Sequence, residues 1–408
     1  MLFYCEKSYS SQKKSMASGV LFRDVVLDSA KKTDLSKALT SVGLGEMNVD
    51  GDRRSMLRIR ALACKKFGYP REGSWYNLGK SFWSKLRPDS GEGNSHIIRA
   101  SLEPISHDIH NFPTYRHNPP RTPTGFDESI CETPTSYIEV DPVVCPIVWV
   151  MGVGQANWNE VRAGNRRIMY DLGVDDGWSD QVVRRHIDAM LLAPFDDQVI
   201  ILSHWDTDHY SALFHFTQQE LATFRFLVAP WPVPPTLTAQ RVFSSIRNSG
   251  LPYRLLDPAP QTGRRIGLHL QSRSANTDIF RAGPGVSRNQ TGIVLVFKWR
   301  DRLALLCGDH HYNKLLDDVL QAHYPNHEVG LVVPHHGGRA GVIDEMSWST
   351  RQVACALSYG LGNLHGHPSQ PVLSSLRRAG ITPRHTRGTT HLMLDMGRTH
   401  IDFIASIP

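Results

Sequence analysis

The sequence predicts a layered α/β domain over its C-terminal two thirds, and two observations carry that prediction. From Tyr137 onward, short apolar strand-like runs alternate with amphipathic helical stretches. Three of those runs end abruptly in His and Asp side chains. The chain has 408 residues, more than one minimal domain needs and enough for two. Hydrophobic residues make up 40% and charged residues 21%, so a sizeable core can be buried.

Taken in order, residues 146–152 form a strand that ends in a turn, Gly152-Val153-Gly154-Gln155. Residues 167–173 form a second, ending in Asp171-Leu172-Gly173. A helix is predicted over 180–192, and a strongly apolar strand over 198–203 runs directly into His204. Later strands are predicted over 292–297, 302–307, 329–333 and 353–358, and a helix over 371–379.

The N-terminal third reads differently. Residues 1–30 look irregular and weakly ordered. From 33 to about 85 the pattern reads as mostly helical, with Asp34 as a candidate cap. Residues 53–67 place Met56, Leu57, Ile59, Leu62 and Ala63 at helix-like spacing. Trp75, Tyr76, Phe82 and Trp83, interleaved with Lys80, Lys85 and Arg87, fit a small helical core with a solvated basic face better than a base-stacking surface. Pro113, Pro119, Pro120, Pro123 and Pro134 then mark residues 88–135 as a linker or surface strap. Residues 1–135 are therefore expected to be a basic, mostly helical appendage, and residues 136–408 the α/β domain.

The formal net charge is +6, and residues 1–135 carry +5 of it, with 20 Lys and Arg against 15 Asp and Glu. An excess this mild permits a polyanionic partner without demanding one. Six cysteines include no Cys-x-x-Cys pair, so neither a zinc finger nor a disulfide framework is indicated, and a reducing cytoplasm fits best. Cys145, Cys307 and Cys355 read as buried small hydrophobes. The N-terminus lacks a continuous apolar run, and no stretch reaches about 18 apolar residues, so neither a secretory signal nor a membrane span is expected.

The chemistry concentrates in Ser203-His204-Trp205-Asp206-Thr207-Asp208-His209, where four metal-competent side chains fall within six positions. The segment follows an apolar strand, and α/β folds place their sites at strand C-termini. Ligands at i, i+2, i+4 and i+5 can aim two pairs at neighbouring points, which suits two divalent cations. Two further strands repeat the pattern, one ending in Gly308-Asp309 and one in Pro334-His335-His336-Gly337-Gly338.

In that order these motifs resemble the metallo-β-lactamase fold, and more narrowly its branch typified by the soluble domain of the DNA-uptake protein ComEC. Val153-Gly154-Gln155, Asp171-Leu172-Gly173, Asn289 and Asn363-Leu364-His365-Gly366-His367-Pro368 extend the resemblance, which covers about residues 146–400. It implies a four-layer αββα sandwich. It also implies that His204 and Asp206 hold one metal, Asp208 and His209 a second, and that Asp309 bridges them. One of His335 and His336 completes the second site, with His335 preferred as the first residue after the strand. His367 is implied as a polar clamp or proton donor, and Asn363 as support for its loop.

The sequence also departs from the pattern. Asp206 stands where the commoner motif has His, which hardens the site toward manganese or magnesium, with zinc still allowed. The His ligand usual between the first motif and Gly-Asp has no clear counterpart. His215 and His269 lie in that interval without a recognisable context, and His310 or His311 are alternatives.

The resemblance implies a phosphodiesterase or nuclease acting on DNA or RNA through a metal-activated hydroxide, with Asp208 and His367 as its catalytic groups. Without membrane spans, such a chain suggests a bacterial defence effector whose residues 1–135 bind a protein partner. Two other readings compete. One is a hydrolase of small esters, lactones or cyclic nucleotides. The other is a non-catalytic partner subunit with a degenerate metal site.

Overall fold

The computed structural model describes residues 1–10, 22–44, 56–62, 73–88, 98–104 and 116–117. From 138 onward it describes all but 140, 142, 194, 262–264, 286, 364, 388–389, 399 and 407–408. Two compact units emerge. The first comprises Met1–Phe126 with Asp176–Val183 and Val233–Ser245, and the second comprises Asp127–Asp175, Arg184–Pro232 and Ile246–Pro408. The boundary predicted near residue 135 lies outside the described residues.

The first unit corrects the expectation of a mostly helical appendage. It holds a seven-stranded sheet in the order Leu86–Pro88, Ile98–Pro104, Met56–Leu62, Phe22–Ser29, Leu2–Ser10, Trp75–Asn77, Arg116–His117. Only Lys32–Ser41 and the short Lys80–Trp83 are helices among its described residues up to Phe126. The segment read as a helix at 53–67 contains the strand Met56–Leu62, paired antiparallel with Phe22–Ser29. Residues 1–30, read as irregular, supply two strands of this sheet, and the predicted linker supplies Ile98–Pro104. Phe3, Cys5, Val25, Leu27, Leu57 and Ile59 form its core with Leu35, Ala38 and Leu39 of the helix. Asp34 does not cap that helix: Lys31 holds the N-cap position, and the Asp34 carboxylate accepts from the Leu2 amide at 2.9 Å.

The second unit contains two large sheets. One has the order Tyr253–Leu256, Phe226–Pro230, Asp197–Ile201, Arg166–Leu172, Trp158–Ala163, Ile147–Val150, His391–Asp395, Phe403–Ser406. The other has the order Leu268–Arg273, Thr277–Ala282, Ile293–Trp299, Arg302–Leu306, Glu328–Val332, Val353–Leu357, Arg384–His385. Alternation along the strands gives each sheet two apolar faces. The facing sides meet in one core, where Val148, Ile168, Val199, Ile201 and Phe226 of the first pack with Ile279, Leu295, Phe297, Leu306 and Val332 of the second. The outer face of the second sheet, with Phe280, Val294, Leu303 and Leu305, is covered by helical residues Leu315, Val319, Leu373 and Leu376. On the outer side of the first sheet, Arg167 donates to the Met190 carbonyl at 3.0 Å and so ties down the helix Asp180–Leu191. The order of layers is helix, sheet, sheet, helix.

Pairing is parallel among the strands that carry the motifs: 166–172 with 197–201, 302–306 with 328–332, and 328–332 with 353–357. Their C-terminal ends therefore open on the same edge of their sheets, and the predicted ligands follow those ends. No helix among the described residues is long and apolar enough to cross a membrane.

Candidate metal centre

Asp171, His204, Asp206, Asp208, His209, Asp309, His335 and His336 all follow or end parallel strands of the second unit. Two groups of donor atoms converge there, each within 4.8 Å: His204, His209 and Asp309, and Asp208, His209 and His336. His209 belongs to both. Its Nε2 lies 3.3 Å from Asp309 Oδ1, and His336 Nε2 lies 3.5 Å from Asp208 Oδ2.

The hydrogen bonds made by the far side of each ring decide which nitrogen faces the centre. His209 Nδ1 lies 2.7 Å from Asp171 Oδ2, and a carboxylate only accepts, so Nδ1 carries the proton. His336 Nδ1 donates likewise to the Ser358 carbonyl at 3.1 Å. His204 Nδ1 lies 2.9 Å from Ser203 Oγ, whose own hydrogen goes to Asp171 Oδ2 at 2.8 Å. His204 and His336 thus turn a bare Nε2 inward, the form that ligates metal, while His209 directs Nε2 at the Asp309 carboxylate and would give up the proton there to a cation. His204 Nε2, His336 Nε2 and Asp309 Oδ1 are buried with no hydrogen-bond partner. Buried polar atoms without partners are costly in a native fold. A donor set of imidazole nitrogens and carboxylates whose orphaned atoms point at one another fits a divalent cation.

Asp171 organises this arrangement. It is fully buried, adopts a left-handed φ of 63°, and also accepts from the Ser203 amide at 2.7 Å. Burial alone would lower the His209 pKa, but Asp171 and Asp309 outweigh burial and raise it well above the ordinary value. Burial would raise the Asp309 pKa; His335 and His209 overcome that and hold it well below the carboxylate range. Gly173 matters for a steric reason. A Cβ there would lie 1.7 Å from the Asp208 carbonyl oxygen, which also accepts from the Asn157 amide at 2.9 Å.

Sequence order made His335 the preferred ligand, whereas the structure groups His336 with Asp208 and His209. Both histidines take left-handed backbone angles, φ 53° and 51°, and this tight turn sends the rings different ways. His336 is buried, while the His335 side chain is 25% exposed and its Nδ1 contacts Asp309 Oδ2 directly. Asn289 Nδ2 donates to the same Asp309 oxygen at 3.1 Å.

Asp206 belongs to neither group. Its Oδ2 is 3.5 Å from His204 Nε2, and its Oδ1 is 3.4 Å from Arg288 Nη1, which also donates to the Trp205 carbonyl at 2.8 Å. Burial opposes charge on Asp206, but His204 and Arg288 outweigh it and lower its pKa. None of the alternatives for the missing ligand joins a group among the described residues. His310 is buried, and burial holds it well below its ordinary pKa; His311 shifts the same way for the same reason.

His367 lies at the rim, with ring centroids 5.2 Å from His335 and 6.5 Å from His336. Burial pushes its pKa down to about 3, so the ring is neutral near pH 7. Asn363 fixes its backbone on both sides, donating to the His367 carbonyl at 2.6 Å and accepting from its amide at 3.1 Å. The sequence motifs flagged Asp171 and Gln155 only as turn residues, and Arg288 not at all. Their roles depend on long-range contacts, and the only trace in the sequence was their position next to strand ends.

No known family profile matches the chain, and no curated protein matches it. Solved structures similar to it include the metallo-β-lactamase fold protein YhfI from Bacillus subtilis, at 9% identity over 61% of this chain and 99% of that one, with a TM-score of 0.35. A diphosphatase of the PhnP family is 10% identical over 60% of this chain and 97% of the other, with a TM-score of 0.33. A CmlA β-hydroxylase variant is 11% identical over 62% of this chain and 54% of the other, with a TM-score of 0.35. The chain's own facing sheets and outer helices make its second unit a four-layer αββα sandwich.

Proposed function

We propose that this protein is a divalent-metal-dependent hydrolase of phosphodiesters, with DNA or RNA as its substrate. The observation that carries the reading is the convergence of inward-turned, partnerless donor atoms from His204, His336 and Asp309 with His209 and Asp208. His204, His209 and Asp309 would hold one cation, and Asp208 and His336 the position beside it, since the single lone pair of His209 Nε2 serves one of the two groups at a time. Manganese or zinc suits this mix of imidazole and carboxylate, and magnesium is the harder alternative. A cation in this place supplies Lewis acidity, which acidifies water and stabilises negative charge developing on a substrate oxygen. Asp208 would orient the attacking water and accept its proton, while His367 faces the leaving oxygen. The choice of phosphodiester rests on the ComEC-like motif order, with the mild basic excess of residues 1–135 in support. A protein partner on residues 1–135 and a role in bacterial defence belong to the same reading.

One observation favours the alternative of a degenerate site: Asp206, expected as a ligand, contacts Arg288. The two readings separate when single- and double-stranded DNA, RNA and cyclic nucleotides are incubated with the full chain and Mn²⁺, alongside Asp208→Ala. Cleavage lost in the variant supports the hydrolase. No cleavage by either protein, with less than one metal bound per chain, overturns it. Turnover confined to a panel of esters and lactones would replace the phosphodiester with the small-molecule substrate class.

A further inference from the structure

We propose that Gln155 is a positioning residue that locks the His367 imidazole as its Nε2–H tautomer, so that the ring meets the substrate as a neutral hydrogen-bond donor. Two contacts of the Gln155 side chain set this tautomer. The Gly360 backbone amide lies 3.4 Å from Gln155 Oε1, and an N–H can only donate, so the oxygen of the side-chain amide is held on that side. The NH₂ end then faces His367 Nδ1, at 3.2 Å. An NH₂ can only donate as well, so Nδ1 must accept with its lone pair. A neutral imidazole with a bare Nδ1 carries its proton on Nε2.

The surroundings leave little freedom for a different arrangement. Gln155 is buried, and its own backbone amide donates to Asp175 Oδ2 at 2.8 Å. Asn363 grips the His367 backbone on both sides, at 2.6 and 3.1 Å. The Nε2 edge lies over Gly338, where a Cβ would come within 2.6 Å of His367 Nε2 and 2.3 Å of His335 Cδ2. The missing side chain at Gly338 thus lets the Nε2 edge lie toward His335. The His367 polarity is the reverse of that at His204, His209 and His336, whose protons sit on Nδ1. Three rings offer lone pairs to a cation, and the fourth offers a proton to an oxygen. His367 therefore suits an anionic substrate oxygen or a departing alkoxide and does not suit the role of base. This last step rests on the hydrolase reading above.

The test reads the tautomer directly in the full-length protein labelled with ¹⁵N-histidine. Two-bond ¹H–¹⁵N correlation spectra are recorded near pH 7, and His367 is assigned by the signal lost in His367→Gln. The expected result is a bare-nitrogen shift for Nδ1 and a protonated-nitrogen shift for Nε2. In Gln155→Glu the carboxylate can only accept, from Gly360 N–H and from the ring together, so the pattern should invert to Nδ1–H. On a cleavable phosphodiester, the same variant should lose about 100-fold in kcat. A wild-type ring protonated on Nδ1, or a Gln155→Glu spectrum identical to wild type in a folded protein, overturns the proposal. A wild-type Nε2–H pattern in a protein that hydrolyses nothing sinks the hydrolase reading and leaves the lock standing.

Discussion

Replacing Asp171 with Asn is the sharpest perturbation of the candidate metal centre, because at nearly constant shape it removes one negative charge and turns an accepting oxygen into a donating NH₂. Asn tolerates the left-handed backbone found at this position, so the turn need not move. Its carbonyl oxygen can still accept from the Ser203 amide, now 2.7 Å from Asp171 Oδ1. The substituted NH₂, however, meets His209 Nδ1, now 2.7 Å from Asp171 Oδ2, and two donors cannot face each other. His209 must give up its Nδ1 proton and carry one on Nε2, the atom that faces Asp309 at 3.3 Å. Losing the partner that orients a ligand histidine typically costs 10- to 100-fold in metal affinity, or about 1.4–2.7 kcal/mol. His209 is shared by both donor groups, so the upper end of that range is expected. Asp171→Ala differs because it strands the buried Ser203 amide, which adds about 1–3 kcal/mol of lost stability. Competition titration of Mn²⁺ or Zn²⁺ against a chromophoric chelator gives the affinities, and thermal melting of the metal-free proteins gives the stabilities. Wild-type affinity in a folded Asp171→Asn would refute the assignment of His209 as a ligand oriented through Asp171.

Three further outcomes follow from the same geometry. His336→Ala should lose at least tenfold in metal affinity while His335→Ala stays within a few-fold of wild type, and elemental analysis of the two purified variants checks this. Gly173→Ala must displace the Asp208 carbonyl, because its Cβ would sit 1.7 Å from that oxygen. Overpacking of this kind costs about 1–3 kcal/mol, so a lowered melting temperature together with weakened metal binding is expected, and an unchanged melt would argue against the contact. His186, lowered to about 4 by burial and by His391, is protonated more readily in the unfolded chain than in the fold. Stability should therefore fall as pH drops from about 6.5 toward 4, by up to about 3 kcal/mol before solvent screening is allowed for, and His186→Gln should flatten that slope in denaturant titrations.

Most of the sandwich could be read from the sequence because its strands are buried and end abruptly. The residues around 198–203 run apolar until His204, and those around 303–308 until Asp309. That contrast is local, so it survives without a structure. The seven-stranded N-terminal sheet was misread because short apolar runs fit two periods at once. Met56, Leu57 and Ile59 satisfy helical spacing, but the partner that makes them a strand, Phe22–Ser29, is distant in sequence. The same limit applies at the site. The candidate ligand positions were visible, whereas the grouping of His336 rather than His335 with Asp208 and His209 is made by two consecutive left-handed residues and by a carbonyl at Ser358. Asp171 and Gln155 act on rings 38 and 212 residues away, respectively, which no motif spacing could reveal.

The contact between Arg288 and Asp206 bears on how many ions the centre can hold at rest. Asp171, Asp206, Asp208 and Asp309 bring four negative charges to a small, largely buried volume, and the guanidinium cancels one of them. One divalent cation would then leave the cluster with one negative charge, while two would leave it with a surplus of one positive charge. In surroundings of low dielectric that surplus is costly until an anion arrives to offset it. On the hydrolase reading, binding of a second ion would therefore be tied to the presence of an anionic ligand, and the arginine would favour a pair of sites that fills in step with such a ligand over one that stays loaded.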